Sequence, residues 1–147
     1  MNNDITEKLL KLQQFSRPPD FSGFGLVVYT GDIEQLSVSP LLREGGYSTI
    51  ADYEHALDFL FTISRYGDIQ HDGFHFLHRE LGLTHIAQFF SPPIPVQYSA
   101  RKYGVGARYR AAELASLLIN VTSVYIFQRT GMVTKFHEGN ETIYACK

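Results

Sequence analysis

Tryptophan is absent from this 147-residue chain, and cysteine is nearly so, with Cys146 the single thiol. One cysteine excludes an internal disulfide framework and fits a reducing compartment. Cys146 has no basic neighbour except Lys147 and reads as chemically inert. A dominant charge is missing too: 13 Lys and Arg stand against 15 Asp and Glu, for a net charge of −2. That excludes a nucleic-acid binder working by general phosphate neutralisation, so any anion site has to be local. No apolar run approaches the ~20 residues that span a bilayer. The amino-terminal "MNNDITEKLLKLQQF" lacks the charged-then-apolar plan of a signal peptide. The expectation is a cytoplasmic protein with no membrane or nucleic-acid partner. Repeats, linkers and low-complexity segments are also lacking, and the length suits a single domain over residues 1–147.

Core material is plentiful. Hydrophobic residues make up 44% of the chain, and eleven Phe and nine Tyr raise the aromatic share to 14%. The apolar spacing predicts a first helix that opens at an Asp4–Glu7 capping box and ends at Pro18–Pro19. "FGLVVY" (24–29) reads as a buried strand. The polar, glycine-rich stretch 31–48, with "EGG" at 44–46, reads as a loop. A second helix, capped by Thr49 and Asp52, is predicted through about residue 65, with Tyr53, Leu57 and Leu60 on one face.

"GFHFLH" and "LTHIAQFF" form a predicted hairpin with His78 opposite His85, Phe76 opposite Ala87 and Phe74 opposite Phe89. "SPPIP" (91–95) is a rigid loop. "GVGARYRAAELASLL" (104–118) supplies a third helix, and "VTSVYIF", "MVTKFH" and "TIYAC" read as three closing strands. The resulting order, α-β-α-β-β-α-β-β-β, predicts an α/β (α+β mixed) fold with a central mixed sheet flanked by helices.

Three groups of residues bear on chemistry. Gly104 and Gly106 lead into Arg108 and Arg110 at a helix start, where free amides, the helix dipole and two guanidinium groups suit a phosphate. The plainer alternative is a pair of solvated arginines. Asp72, in "QHDGFHF" (70–76), sits at a strand entrance, where it suits a metal ion or a hydroxyl; an Asp-Gly turn bonding its own backbone is the alternative. His71, His75, His78 and His85 lie close in sequence, but His75 and His78 face opposite sides of a strand. A His78–His85 pair supplies two imidazoles and no third ligand. No Ser-His-Asp arrangement stands out.

Taken in order, these segments resemble the diadenylate cyclase domain, a nucleotidyltransferase domain. "FGLVV" (24–28) stands where the family carries "GALIV", "HDGF" (71–74) where it carries "HDGA", and "FSPPI" (90–94) loosely where it carries "LPLS". "GARYRAA" (106–112) matches "GTRHRAA", and "ELASLLINVTSVYIFQRTGMV" (113–133) continues without a gap. The resemblance covers roughly residues 20–135.

The family condenses two ATP molecules into cyclic di-AMP between two domains that meet face to face. The resemblance implies that Asp72 lies near the reacting hydroxyl and metal, with Gly73 and Phe74 against the nucleotide. Gly106 and Ala107 would form the phosphate turn, and Arg108, Tyr109 and Arg110 would face the phosphates.

Several positions depart from the pattern. Ala107 replaces a threonine, Tyr109 a histidine and Phe74 an alanine. Leu117, Gln128 and Arg129 stand where the family has glutamates. Metal-assisted condensation of two triphosphates calls on carboxylates; the groups kept here, Asp72, Arg108 and Arg110, recognise a nucleotide. The expectation is a cyclase-like domain impaired in synthesis, binding an adenine nucleotide or cyclic dinucleotide as a sensor, with Gln128 beside the ligand. An active cyclase, using magnesium or manganese, and a protein-contact module of the same fold are the alternatives. A face-to-face homodimer goes with the family's arrangement.

Overall fold

A computed structural model describes residues 2–12 and 19–144. The elements are α1 (Asn2–Leu12), β1 (Phe24–Tyr29), a 3-10 turn (Ile33–Gln35), β2 (Val38–Pro40), β3 (Tyr47–Ile50), α2 (Tyr53–Ile63), β4 (Phe74–His78), β5 (Gly82–Phe90), α3 (Ala107–Ala115), β6 (Val121–Phe127), β7 (Val133–His137) and β8 (Asn140–Tyr144). All eight strands join one sheet, in the order β2-β5-β4-β1-β6-β7-β8, with β3 also pairing β5. β1 and β4 are parallel, and every other pairing is antiparallel. This is the mixed sheet with flanking helices that the element order predicts.

β1 is buried along its whole length, which is why "FGLVVY" carries no polar residue. Its alternate side chains feed two cores. Phe24, Leu26 and Val28 join Ile5 and Leu9 of α1 and Leu57 and Leu60 of α2 on one face. Val27 and Tyr29 join Ala112 and Ala115 of α3 on the other. The molecule is thus three layers, with α1 and α2 on one side of the sheet and α3 alone on the opposite side.

The structure corrects several local expectations. The stretch 31–48 is not an uninterrupted loop. It holds the 3-10 turn, β2 and the start of β3, and the two strands lie end to end along β5. These strands are three and four residues long and largely solvent-facing, so no apolar alternation announces them. Gly46 is needed for the pairing: a Cβ there would lie 2.2 Å from the Ile86 carbonyl oxygen, and its φ is +70°.

The hairpin is tighter than predicted. His78 pairs with Gly82, Leu77 with Leu83, Phe76 with His85 and Phe74 with Gln88. Two side chains set this register. His78 Nδ1 accepts the amides of Glu80 and Leu81 at 3.1 and 3.2 Å, closing the turn. His75 Nδ1 accepts the Ala87 amide at 3.0 Å, where Ala87 has φ 52° and the ladder shifts.

Asp52 caps α2 by accepting the His55 amide at 3.1 Å, while Thr49 belongs to β3. The predicted Asp4 cap falls inside α1, and its predicted end falls largely on residues 13–18, outside the described residues. β8 begins at Asn140, earlier than expected, and Cys146 lies outside the described residues.

Candidate nucleotide site

Topology gathers the sequence motifs at one end of the sheet. Because β1 and β4 run parallel, the approach to Phe24 and the "HDG" before Phe74 emerge together. β6 runs the other way, so the Gln128–Arg129 turn after Phe127 reaches the same end. α3 leads back through a short turn into β6, which places its amino terminus there as well.

At that terminus Gly106 is the N-cap, with φ 89° and ψ 165° and no side-chain cap. Open space lies around both Gly104 and Gly106, where an added Cβ would meet nothing within 4 Å. The first helical amides are therefore approachable from outside.

Arg108 leans inward from this turn and is half-buried. Burial pulls its guanidinium below the usual value, opposed by the charge of Asp72 and by Tyr66. An arginine stays charged at any relevant pH, so this marks a cation partly stripped of water. It makes no ion pair within 4 Å among the described residues. Asp72 is exposed, and its Oδ1 accepts the Gly73 amide at 2.9 Å. Asp72 thus combines the Asp-Gly turn with a position in electrostatic reach of Arg108.

Gly73, at φ +75°, lies close under β5: a Cβ there would sit 2.5 Å from the Gln88 carbonyl oxygen and 2.7 Å from Leu41 Cδ1. Phe74 points into the core on the α3 face. Its ring covers Gly25, where a Cβ would fall 2.6 Å from Phe74 Cδ1, and meets Phe90 edge-on.

The next two residues of "RYR" turn elsewhere. The Tyr109 hydroxyl donates to Glu141 Oε2, and its ring stands edge-on to Phe136. Burial, then the Glu141 carboxylate, push its phenol far above the usual range. Lys102 pairs with the same carboxylate. Arg110 donates through Nη2 to the Lys102 carbonyl and lies 5.9 and 5.7 Å from the ring centres of Tyr98 and Tyr103. Its Nε is 3.7 Å from Glu113 Oε1, which also accepts the Tyr98 hydroxyl. Tyr109 and Arg110 together pin the 95–103 segment to α3. Ala107 opens the helix beside Arg108 and is exposed.

Gln128 is half-buried and held by its backbone: its amide donates to the Met132 carbonyl at 2.8 Å, and its carbonyl accepts the Gly131 amide at 2.9 Å. Arg129 is exposed beside it, and Leu117 lies just beyond the carboxyl end of α3.

Sequence reasoning passed over His75 as a site neighbour. It is fully buried against Phe24, 5.9 Å between ring centres. Burial holds it down at about 3, with Arg108 and His71 adding to the effect. Because Nδ1 accepts the Ala87 amide, Nε2 carries the proton and has no partner. His71 Nδ1 is likewise buried without one. A lone histidine on an apolar strand gives no sign of this in sequence; only the β5 bulge reveals it.

No protein-family profile matches the chain, and no curated protein matches it by sequence. Solved structures do. DacA from Staphylococcus aureus, a diadenylate cyclase crystallised as an N166C/T172C double mutant, superposes with a TM-score of 0.65 at 15% identity. The match covers 99% of this chain and 89% of that one. A hypothetical membrane spanning protein from Bacillus cereus superposes with a TM-score of 0.64 at 17% identity, over 99% of this chain and 63% of its own. This chain therefore spans less than two thirds of that relative. The chain has a diadenylate-cyclase-like fold. No helix among the described residues is long and apolar enough to cross a membrane.

Proposed function

We propose that this domain binds an adenine nucleotide or a cyclic dinucleotide and works as a cytoplasmic sensor with little or no synthetic activity. The observation that carries the reading is Arg108, a half-buried guanidinium with no ion-pair partner among the described residues, beside Asp72 and under an open helix start. A phosphate there gains a two-pronged donor, the first helix amides and the helix dipole together. The fold shared with DacA supports a nucleotide as the anion's source, and a second domain meeting this one face to face would close over it.

The donor set offers a magnesium or manganese ion at most the Asp72 carboxylate, so an ion there would lean on the nucleotide's own phosphates. Among the described residues no group of three or more His, Cys, Asp or Glu side chains comes together to hold a metal. Asp72 has a cation for its neighbour, and positions 117, 128 and 129 contribute no carboxylate. Recognition survives this loss; condensation of two triphosphates, which depends on stabilising developing charge, does not.

Calorimetric titration with ATP and with cyclic di-AMP, alongside mass spectrometry after incubation with ATP and magnesium or manganese, tests the reading. We expect binding without product, and affinity at least tenfold weaker in Arg108→Ala, as for loss of about 1.4 kcal/mol or more from a charge-assisted contact. Cyclic di-AMP that appears with the wild type and vanishes with Asp72→Asn would establish a working cyclase. Neither binding nor product removes the nucleotide from the account.

A further inference from the structure

A cavity of about 340 Å³ lies between the 95–101 segment and the far half of α3. Its size falls at the lower end of small-molecule sites, roughly 300–1,000 Å³. Neither Asp72 nor Arg108 lines it, so it is separate from the site above. Its walls are of three kinds.

One wall is apolar: Pro95 and Leu117. The β7–β8 turn lies close against Leu117, and its backbone at residue 139 favours glycine. At φ +81°, a Cβ there would lie 2.9 Å from Leu117 Cδ2, and the Gly139 amide donates to Ser116 Oγ at 2.9 Å. The second wall is acidic. Glu113 is 7% exposed, and Glu138, an exposed carboxylate 3.9 Å from His137 Nε2, lines the cavity from the turn. Both contacts that hold Glu113, from the Tyr98 hydroxyl and from Arg110 Nε at 3.7 Å, fall on Oε1. Among the described residues, no hydrogen bond or ion pair of the Glu113 carboxylate falls on Oε2, and Glu113 lines the cavity. The third wall is basic. Arg101 gives Nη1 to Asn140 Oδ1 at 3.1 Å, and the rest of its five donors remain.

We infer that this cavity is a second ligand site, built for a small zwitterion: an α-amino acid with an apolar side chain. Its ammonium meets the Glu113 and Glu138 carboxylates, its carboxylate meets Arg101, and its side chain lies on Pro95 and Leu117. A molecule with one charge leaves a wall unmatched. An amine leaves Arg101 without a counter-charge, and a carboxylic acid faces two carboxylates. Leu117 is central to the assignment, since the resemblance puts a glutamate at that position and the leucine turns an acidic wall apolar.

The test is calorimetry of the full chain with L-leucine, 3-methylbutylamine and 4-methylpentanoate, which share a hydrocarbon body and differ in charge. We expect leucine to bind at least tenfold more tightly than either analogue. Arg101→Ala should erase the preference for leucine over the amine, and Leu117→Trp, which fills the cavity from an exposed position, should weaken leucine at least tenfold. Thermal melts of both variants report folding, and Arg101→Ala alone suffices if Leu117→Trp does not fold. Leucine that fails to bind, binds no better than the analogues, or binds both variants like the wild type overturns the assignment.

Discussion

Arg108 and Arg110 are two positions apart and of one residue type, yet their surroundings give them different work. Arg108 sits half-buried near Asp72, while Arg110 lies between two tyrosine rings with its guanidinium bonded to a backbone carbonyl. Arg110→Ala should therefore loosen the 95–103 segment by on the order of 1–2 kcal/mol, the worth of two cation–π contacts and a hydrogen bond at a half-exposed site. Limited trypsinolysis measures this: cleavage after Arg101 and Lys102 should speed up roughly tenfold. An unchanged cleavage rate would mean that other contacts hold the segment. The sequence pointed to all of "RYR" as one unit, because adjacent residues share a motif. It had no means to separate them, since the partners of Tyr109 and Arg110, Glu141 and Tyr98, lie 32 and 12 residues away.

At the scale of elements, legibility followed burial. β1, β4 and β6 announce themselves as apolar runs because they are buried almost throughout, and β5 because most of its length is. β2 and β3 do not, because they lie along an edge and their fitness is in backbone approach rather than in side-chain pattern. Gly46→Ala isolates that term. With φ at +70° and a carbonyl oxygen 2.2 Å from the new methyl group, the variant should lose more than about 1 kcal/mol in urea denaturation. A loss near zero would show that β3 can shift at no cost. The hairpin register was missed for a related reason. Two histidine side chains bond backbone amides, at the turn and at the bulge, and pattern-matching treats histidine as just another strand residue.

For the whole molecule, the buried imidazole of His75 ties stability to acidity. Burial keeps it neutral in the fold at about 3, against an ordinary value of 6.5. The folded value is the lower one, so its contribution is fully present above pH 6.5 and drains away as the pH falls toward 3. Each pH unit in that window costs about 1.4 kcal/mol, or about 2 kcal/mol between pH 6.5 and pH 5. His85, also lowered by burial, adds with the same sign. Urea midpoints at pH 7 and pH 5 should record the loss, and His75→Gln, which keeps an acceptor for Ala87, should shrink it. Equal midpoints in the wild type would mean that water reaches the ring.

The two borders of the sheet are not alike. On one side β5 is met by two short strands, β2 along residues 88–90 and β3 along 83–85, set end to end with a break between them. On the other, β8 is the outermost strand of the order, and Ile143 on it is 49% exposed. Among the described residues, no strand interrupts the outer side of β8, whereas the opposite border is divided between β2 and β3. Accretion of copies through their backbones is thus one-sided: two molecules joined along β8 leave only broken borders outward, and the growth that would lead to a fibre stops at a pair.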